Sequence, residues 1–245
     1  MIIIHEKSMA QFANLLAEEL QIAAAQVEIS KFSNGEFKIE DLKIDSNQAF
    51  VVFPKIDNIN ERLMELFLIL GACQTCEIID VFIPYIPYSR QNDSSSFKLI
   101  IDILKSLKVR KILTIDIHKT TSDKNIINIL PHELFGDNFQ GQKFIIVAPD
   151  AGAILRAKAF ADYLQTDLIL IDKQTGKTEN LNIAAGRKCL IIDDIIDSGK
   201  TSENAKKILN AAGAIEIQCC VSDFARTNLA EFYKYISKKI LDEII

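Results

Sequence analysis

Cys-Leu-Ile-Ile-Asp-Asp-Ile-Ile-Asp-Ser-Gly-Lys-Thr, residues Cys189 to Thr201, is the stretch on which the reading of the fold turns. Cys189–Ile192 form an unbroken apolar run, as expected of a parallel strand covered by helices on both faces. Asp193 and Asp194 then arrive at its carboxyl end, where ligands of open α/β sheets bind. Asp197-Ser198-Gly199-Lys200-Thr201 reads as a tight turn opening a helix over Glu203–Ala212, so free amides and two hydroxyls converge on one anion. A phosphate is the natural occupant. A Walker P-loop is excluded, because that motif needs a glycine five positions before its Gly-Lys and Asp194 stands there. Paired carboxylates accept from hydroxyls and repel bare phosphate, so a ligand carrying hydroxyls or a bound Mg²⁺ suits them, and a phosphorylated sugar fits. A strand-to-helix turn with solvated acids is the plainer reading; it suits a lone Asp-Gly better than this whole string.

The chain of 245 residues is long enough for one large or two ordinary domains, and 49% hydrophobic with 25% charged residues is the balance of a soluble globular protein. A net charge of −5 with scattered lysines leaves no basic stripe for duplex nucleic acid. The apolar start Met1–Ile4 is too short for a signal peptide and no window reaches the length of a membrane span, so the expected compartment is the cytoplasm and no membrane partner is expected. Five cysteines, an odd number, fit reduced thiols better than a disulfide framework, and Cys73-x-x-Cys76 has no second pair or nearby histidine to complete a zinc site.

Strand alternates with helix throughout. Ile2–Ile4 reads as a buried strand, and Ser8 caps a helix to about Leu20. Lys31-Phe32-Ser33-Asn34-Gly35-Glu36 is a turn between two short strands. Ala49–Phe53, Ile78–Ile83 and Lys111–Asp116 are further strands, with helices over Asn60–Ala72 and Phe97–Leu107. Pro84 and Pro87 bar a helix directly after Ile83, and the rigid loop delivers Tyr88, Arg90 and Gln91 to the sheet edge, where an arginine can grip a polyphosphate. His118, just past a strand, is structural or solvated in the plain reading and a metal ligand in the sharper one. The pattern restarts near Gly141, which places a boundary between residues 1–140 and 141–245. Phe144–Val147 is a strand leaving through Pro149-Asp150-Ala151-Gly152 into a helix over Ala153–Leu164. After the strand Asp167–Ile171, a polar stretch from Asp172-Lys173 to Gly186 reads as a flap. Ile215–Val221, a helix near Asn228–Ile236 and an apolar Ile240–Ile245 close the chain.

The segment Asp193–Thr201 resembles the 5-phosphoribosyl-diphosphate (PRPP) motif of type I phosphoribosyltransferases and PRPP synthetases. With Phe32–Glu36, Ile83–Tyr85 and Tyr88–Gln91, Asp116–His118, Pro149–Gly152 and Ile171–Lys173 in order, nearly the whole chain is similar to the ribose-phosphate pyrophosphokinase (PRPP synthetase) family. The resemblance implies an α/β fold of two tandem type I phosphoribosyltransferase-like domains, each a mainly parallel sheet flanked by helices. It implies transfer of diphosphate from ATP to ribose 5-phosphate with Mg²⁺. Carried over by position, Asp193, Asp194, Asp197, Ser198, Gly199, Lys200 and Thr201 bind ribose 5-phosphate and PRPP. Phe32, Asn34, Glu36, Arg90 and Gln91 bind ATP, His118 and Asp150 serve the metal, and Lys173 is the catalytic flap lysine. The family's adenine site lies across a subunit interface, which implies a homo-oligomer, at least a dimer.

The sequence departs from the family at particular positions. Thr175 stands where the flap has an arginine, Asn92 replaces an aspartate, and Asp93-Ser94-Ser95-Ser96 replaces further arginines. The chain stops at Asp242-Glu243-Ile244-Ile245 where the family continues, an expectation against ADP control and against the family's hexamer. Two alternatives stay open: a catalytically degenerate regulatory or binding protein, motivated by Thr175, and a phosphoribosyltransferase, motivated by Lys200.

Overall fold

Ile2–His5 (β1) opens the first sheet in a computed structural model that describes residues 1–54, 58–89, 94–117, 122–172, 178–193, 200–221 and 229–244. Glu6, rather than the expected Ser8, supplies the cap after β1. Its carboxylate accepts from the Ser8 amide at 3.0 Å, where a charge also meets the positive end of the peptide dipoles, and a 3-10 turn then enters Ala10–Leu20 (α1). Next come Ala23–Gln26 (β2), the hairpin strands Ile29–Lys31 (β3) and Phe37–Ile39 (β4), Gln48–Val52 (β5), Ile59–Ala72 (α2), Ile78–Phe82 (β6), Ser94–Ser106 (α3), Val109–Ile115 (β7) and Ile126–Ile129 (β8).

Among the described residues, six of these strands form a parallel sheet in the order β2-β1-β5-β6-β7-β8. Ile4, Val51, Val81 and Ile112 share a core with Leu66, Ile69 and Leu70 of α2 and Leu104 of α3. Phe12 of α1 is fully buried, its ring 5.4 Å from Phe82.

The second sheet is built from Phe144–Ala148 (β9), Leu168–Ile171 (β10), Thr178–Glu179 (β11), Lys188–Asp193 (β12) and Glu216–Val221 (β13). Its helices are His132–Gly136 (α4), Ile154–Leu164 (α5) and Lys200–Ala211 (α6). The strand order is β11-β10-β9-β12-β13, parallel except for the β10–β11 pair. Side-chain alternation sorts the two faces: Phe144, Ile146, Ala148, Leu190 and Ile192 pack with Ala157 and Phe160 of α5. Ile145, Val147, Cys189 and Ile191 pack with Ala205 and Leu209 of α6. Covering on both faces is why the run Cys189–Ile192 is apolar without alternation.

Leu229–Ile244 (α7) is one helix, which corrects the expectation of a helix ending near Ile236 before a separate apolar segment. Phe232, Ile236 and Ile240 recur every four residues and are buried, the period of one continuous helical stripe. By its contacts the chain divides into Met1–Ile129 with the residues from Tyr233 onward, and Leu130–Phe232. Within the first unit the Tyr233 ring lies 5.1 Å from Phe12, and the Lys111 ammonium donates to the Glu243 carbonyl near the end of α7, where a cation suits the helix dipole.

Gly136 and Cys73 each bear on stability. A Cβ on Gly136 would lie 2.8 Å from the Tyr163 ring, whose hydroxyl is tethered to Asp137. Gly136→Ala is expected to destabilise the protein by about 1–3 kcal/mol in urea unfolding. Burial pushes the Cys73 thiol from 9.0 up to about 12, with Cys76 adding to it. The unfolded thiol therefore loses its proton first, and stability falls as pH rises from 9.0 towards 12, by about 1.4 kcal/mol per pH unit at most. Cys73→Ala should remove that part of the slope, read from urea midpoints across the range.

Candidate active site

The chain leaves β9 toward β10 on one side and returns through β12 on the other. The connections diverge at the β9–β12 pair, and the ligand position of open α/β sheets is outside the carboxyl ends of the strands at such a point. Register determines what lines it: Lys188 pairs with Phe144 and Ile191 with Val147. Asp150, two residues past β9, and Asp193, the last residue of β12, therefore emerge at one end. Asp172 follows β10 at the same edge, and Thr201 lies half-buried in the first turn of α6.

Asp193 is only 7% exposed. A carboxylate so far out of water is costly unless it is partnered. Arg156 of α5 is itself 4% exposed and brings Nη1 to 3.9 Å from Asp193 Oδ1. The sequence motifs do not include Arg156. Its signal is helical period, since it stands on the inward side of α5 with Ala157, Phe160 and Ala161.

Asp150 Oδ1 accepts from the amides of Gly152 and Ala153 at 3.0 and 3.2 Å, capping the 3-10 turn that leads into α5. A carboxylate offers about four acceptor positions, so this one retains capacity, and a hard oxygen donor of this kind fits Mg²⁺. Among the described residues, no group of three His, Cys, Asp or Glu is arranged around a metal position. Mg²⁺ commonly takes one or two carboxylates and completes its shell with waters and substrate phosphates.

In the first unit, Phe32, Asn34 and Glu36 lie on the β3–β4 hairpin. Phe32 N donates to Glu36 O at 2.8 Å, and Gly35 turns at φ 94°, a conformation that favours glycine. Asn34 Nδ2 donates to the Glu36 carboxylate at 3.0 Å, and the Phe32 ring is 54% exposed. Lys31 fastens the hairpin to α2 through Glu61 at 2.6 Å. In the proline-bounded loop, the Tyr88 hydroxyl donates to Asn60 Oδ1 at 2.7 Å. Arg90, Gln91, His118, Lys173, Asp194, Asp197, Ser198 and Gly199 lie outside the described residues, and Lys200 is described only as the first backbone position of α6.

An open concavity of about 690 Å³ lies at the other end of the second sheet, bounded by Phe139, Lys143, Phe144, Thr166, Asp167 and Arg187. It faces the amino ends of β9 and β10 and holds none of Asp150, Asp172 and Asp193.

Residues 1–108 match the family model for the N-terminal domain of ribose phosphate pyrophosphokinase, and residues 116–244 match the phosphoribosyl transferase domain. The putative ribose-phosphate pyrophosphokinase 2 of Listeria monocytogenes serotype 4b is 29% identical over 233 residues, 86% of this chain and 75% of that protein. The ribose-phosphate pyrophosphokinase of Wolinella succinogenes is 28% identical over an alignment of 257 positions that covers 96% of this chain and 82% of that protein. The crystal structure of phosphoribosylpyrophosphate synthetase from Mycobacterium smegmatis shares the fold, with a TM-score of 0.70 and 23% identity over 90% of this chain and 80% of that one.

Capping and charge at Asp150 are separable. Asp150→Asn keeps an acceptor for the Gly152 and Ala153 amides and is expected to leave stability within a few tenths of a kcal/mol, whereas Asp150→Ala loses the cap at about 1 kcal/mol. Urea unfolding of the two variants measures the difference.

Proposed function

The chain belongs to the ribose-phosphate pyrophosphokinase family, and on that premise we propose that it is a ribose-phosphate diphosphokinase, transferring diphosphate from ATP to ribose 5-phosphate to give PRPP and AMP for nucleotide biosynthesis. The observation that carries this reading is the tandem match. A phosphoribosyltransferase has use for the domain over residues 116–244 but none for a synthetase-type domain over residues 1–108.

Attack of the sugar's anomeric hydroxyl on the β-phosphorus leaves the protein chiefly positioning and electrostatic work. Asp193, Asp194 and Asp197 accept hydrogen bonds from the sugar hydroxyls. Ser198, Gly199, Lys200 and Thr201 hold the 5-phosphate at the start of α6, where peptide amides favour an anion. What supports these roles is the exit of β12 at the ligand edge of its sheet and the place of Thr201 in the first turn of α6. Phe32 offers its exposed ring to adenine, Asn34 and Glu36 its polar edge, and Arg90 and Gln91 hold the ATP phosphates. Lys173 neutralises charge on the transferred group. His118 and Asp150, with phosphate oxygens, would hold Mg²⁺, which supplies neutralisation of the polyphosphate when bound.

A homo-oligomer, at least a dimer, completes the adenine site in this reading, and the cytoplasm is its compartment. All five cysteines are free, as a reducing compartment maintains them, and among the described residues no helix is long and apolar enough to cross a membrane. Thr175, in place of the flap arginine, favours a second reading: a degenerate member that binds phosphoribosyl ligands and regulates a synthetase.

Phosphorus NMR of the protein with ATP, ribose 5-phosphate and Mg²⁺ decides between them. AMP and PRPP are expected together, with Lys173→Ala lowering kcat by about 10²–10³, the cost of losing a donor to transition-state charge. Asp150→Asn, stably folded, should raise the Mg²⁺ concentration needed for half the maximal rate. Intact ATP beside a shifted ribose 5-phosphate signal would give the regulatory reading the lead, and no effect on either would remove both.

A further inference from the structure

The first turn of helix α5 is packed against the hydrophobic preference of its residues. Ile154 and Leu155 at its start are 38% and 47% exposed, while the arginine that follows them is 4% exposed. Side-chain transfer energies alone would place the two aliphatic residues inward and the guanidinium outward. Arg156 instead stands with Ala157, Phe160 and Ala161 on the side of α5 that covers β9 and β12, and its Nη1 reaches 3.9 Å from Asp193 Oδ1 at the carboxyl end of β12. Local rules broken in this way concentrate at functional positions.

We infer that Arg156 is a positioning residue for ribose 5-phosphate, holding the Asp193 carboxylate in the orientation in which it accepts from the sugar; the inference rests on the reading of this edge as the ribose 5-phosphate site. Three features of the pair support it. The contact joins two elements that the active site needs in register, because α5 begins four residues after Asp150 and Asp193 ends β12. Nη1 of Arg156 and Oδ1 of Asp193, 3.9 Å apart, attract as opposite charges between two buried side chains, where water screens them little. Stability by itself also gives little reason for a buried ion pair, since apolar side chains of similar volume commonly replace one without loss.

The test compares wild type with Arg156→Met and Arg156→Lys, each also in an Asp193→Asn background, using calorimetric binding of ribose 5-phosphate and steady-state kinetics. Arg156→Met should raise both the Kd and the KM for ribose 5-phosphate about 30-fold, about 2 kcal/mol at 1.4 kcal/mol per tenfold. The kcat and the KM for ATP should stay within about threefold, because the interaction is made equally in the ground state and the transition state. Arg156→Lys should recover part of the affinity, and in the Asp193→Asn background the Met substitution should change affinity by less than about threefold. A folded Arg156→Met protein with wild-type affinity overturns the inference, as does an equal loss in both backgrounds. If Arg156→Met fails to fold, Arg156→Lys decides: weaker ribose 5-phosphate binding with unchanged ATP binding supports the inference, and unchanged affinity overturns it. Ribose 5-phosphate binding by wild type without AMP release overturns the synthetase reading alone, and no binding by wild type overturns both.

Discussion

Parallel pairing of β12 between β9 and β13 is the constraint from which the second unit's site arises. A strand in that position has a helix over each face, so every side chain along it except those at its ends must be apolar. Cys189, Leu190, Ile191 and Ile192 satisfy this with at most 1% exposure each. Full burial of such a side chain contributes about 1.5–3 kcal/mol, so the register that buries all four outcompetes slipped alternatives. Polar residues are then displaced to the strand ends, and parallel strands with crossover connections put all their exits on one edge. Asp150, Asp172 and Asp193 collect there for that reason.

The two units treat the corresponding edge differently. In the first sheet the connections diverge between β1 and β5, and one arginine of α2 engages the residues just past both strands. Arg62 at the start of α2 lies 2.5 Å from Glu65 and 3.6 Å from Glu6, with its guanidinium over the Phe53 ring at 5.4 Å. In the second unit that edge presents carboxylates and the N-terminus of α6. The exposed Phe32 ring, with Asn34 and Glu36, sits instead on the β3–β4 hairpin, held to α2 by the Lys31–Glu61 pair. The same architecture thus leaves its open edge in one unit and its exposed hairpin in the other.

Legibility followed the strength of local signals. The apolar runs of β1, β5, β9 and β12 are readable because a doubly covered parallel strand has no polar alternation to confuse it, and β6 is readable despite Asp80 at its centre. β2 was not, since Ala23-Ala24-Ala25-Gln26 carries no β-branched or aromatic residue and becomes a strand only through its ladder with Ile2–His5. β8 was missed for a related reason: Ile126–Ile129 is four residues long and is made a strand by pairing with Ile112–Ile115. The continuity of α7 was obscured by Ser237-Lys238-Lys239, which interrupts the apolar composition without interrupting the four-residue period of Phe232, Ile236 and Ile240. Arg156 is not legible, because a charged residue in a helix reads as solvent-facing until the neighbouring sheet shows which side is inward.

The sequence by itself determined the α/β class, the tandem order of the motifs and the carboxylate at the end of β12, because each is written in contiguous residues whose period or chemistry suits few different structures. Only the tertiary structure decided that β9 and β12 flank the switch in strand order, that the residues from Tyr233 onward pack with the first unit, and that Arg156 reaches Asp193. The physical reason is that these facts depend on which distant segments share a ladder or a core. Pairing and packing between residues tens of positions apart leave no periodic trace along the chain.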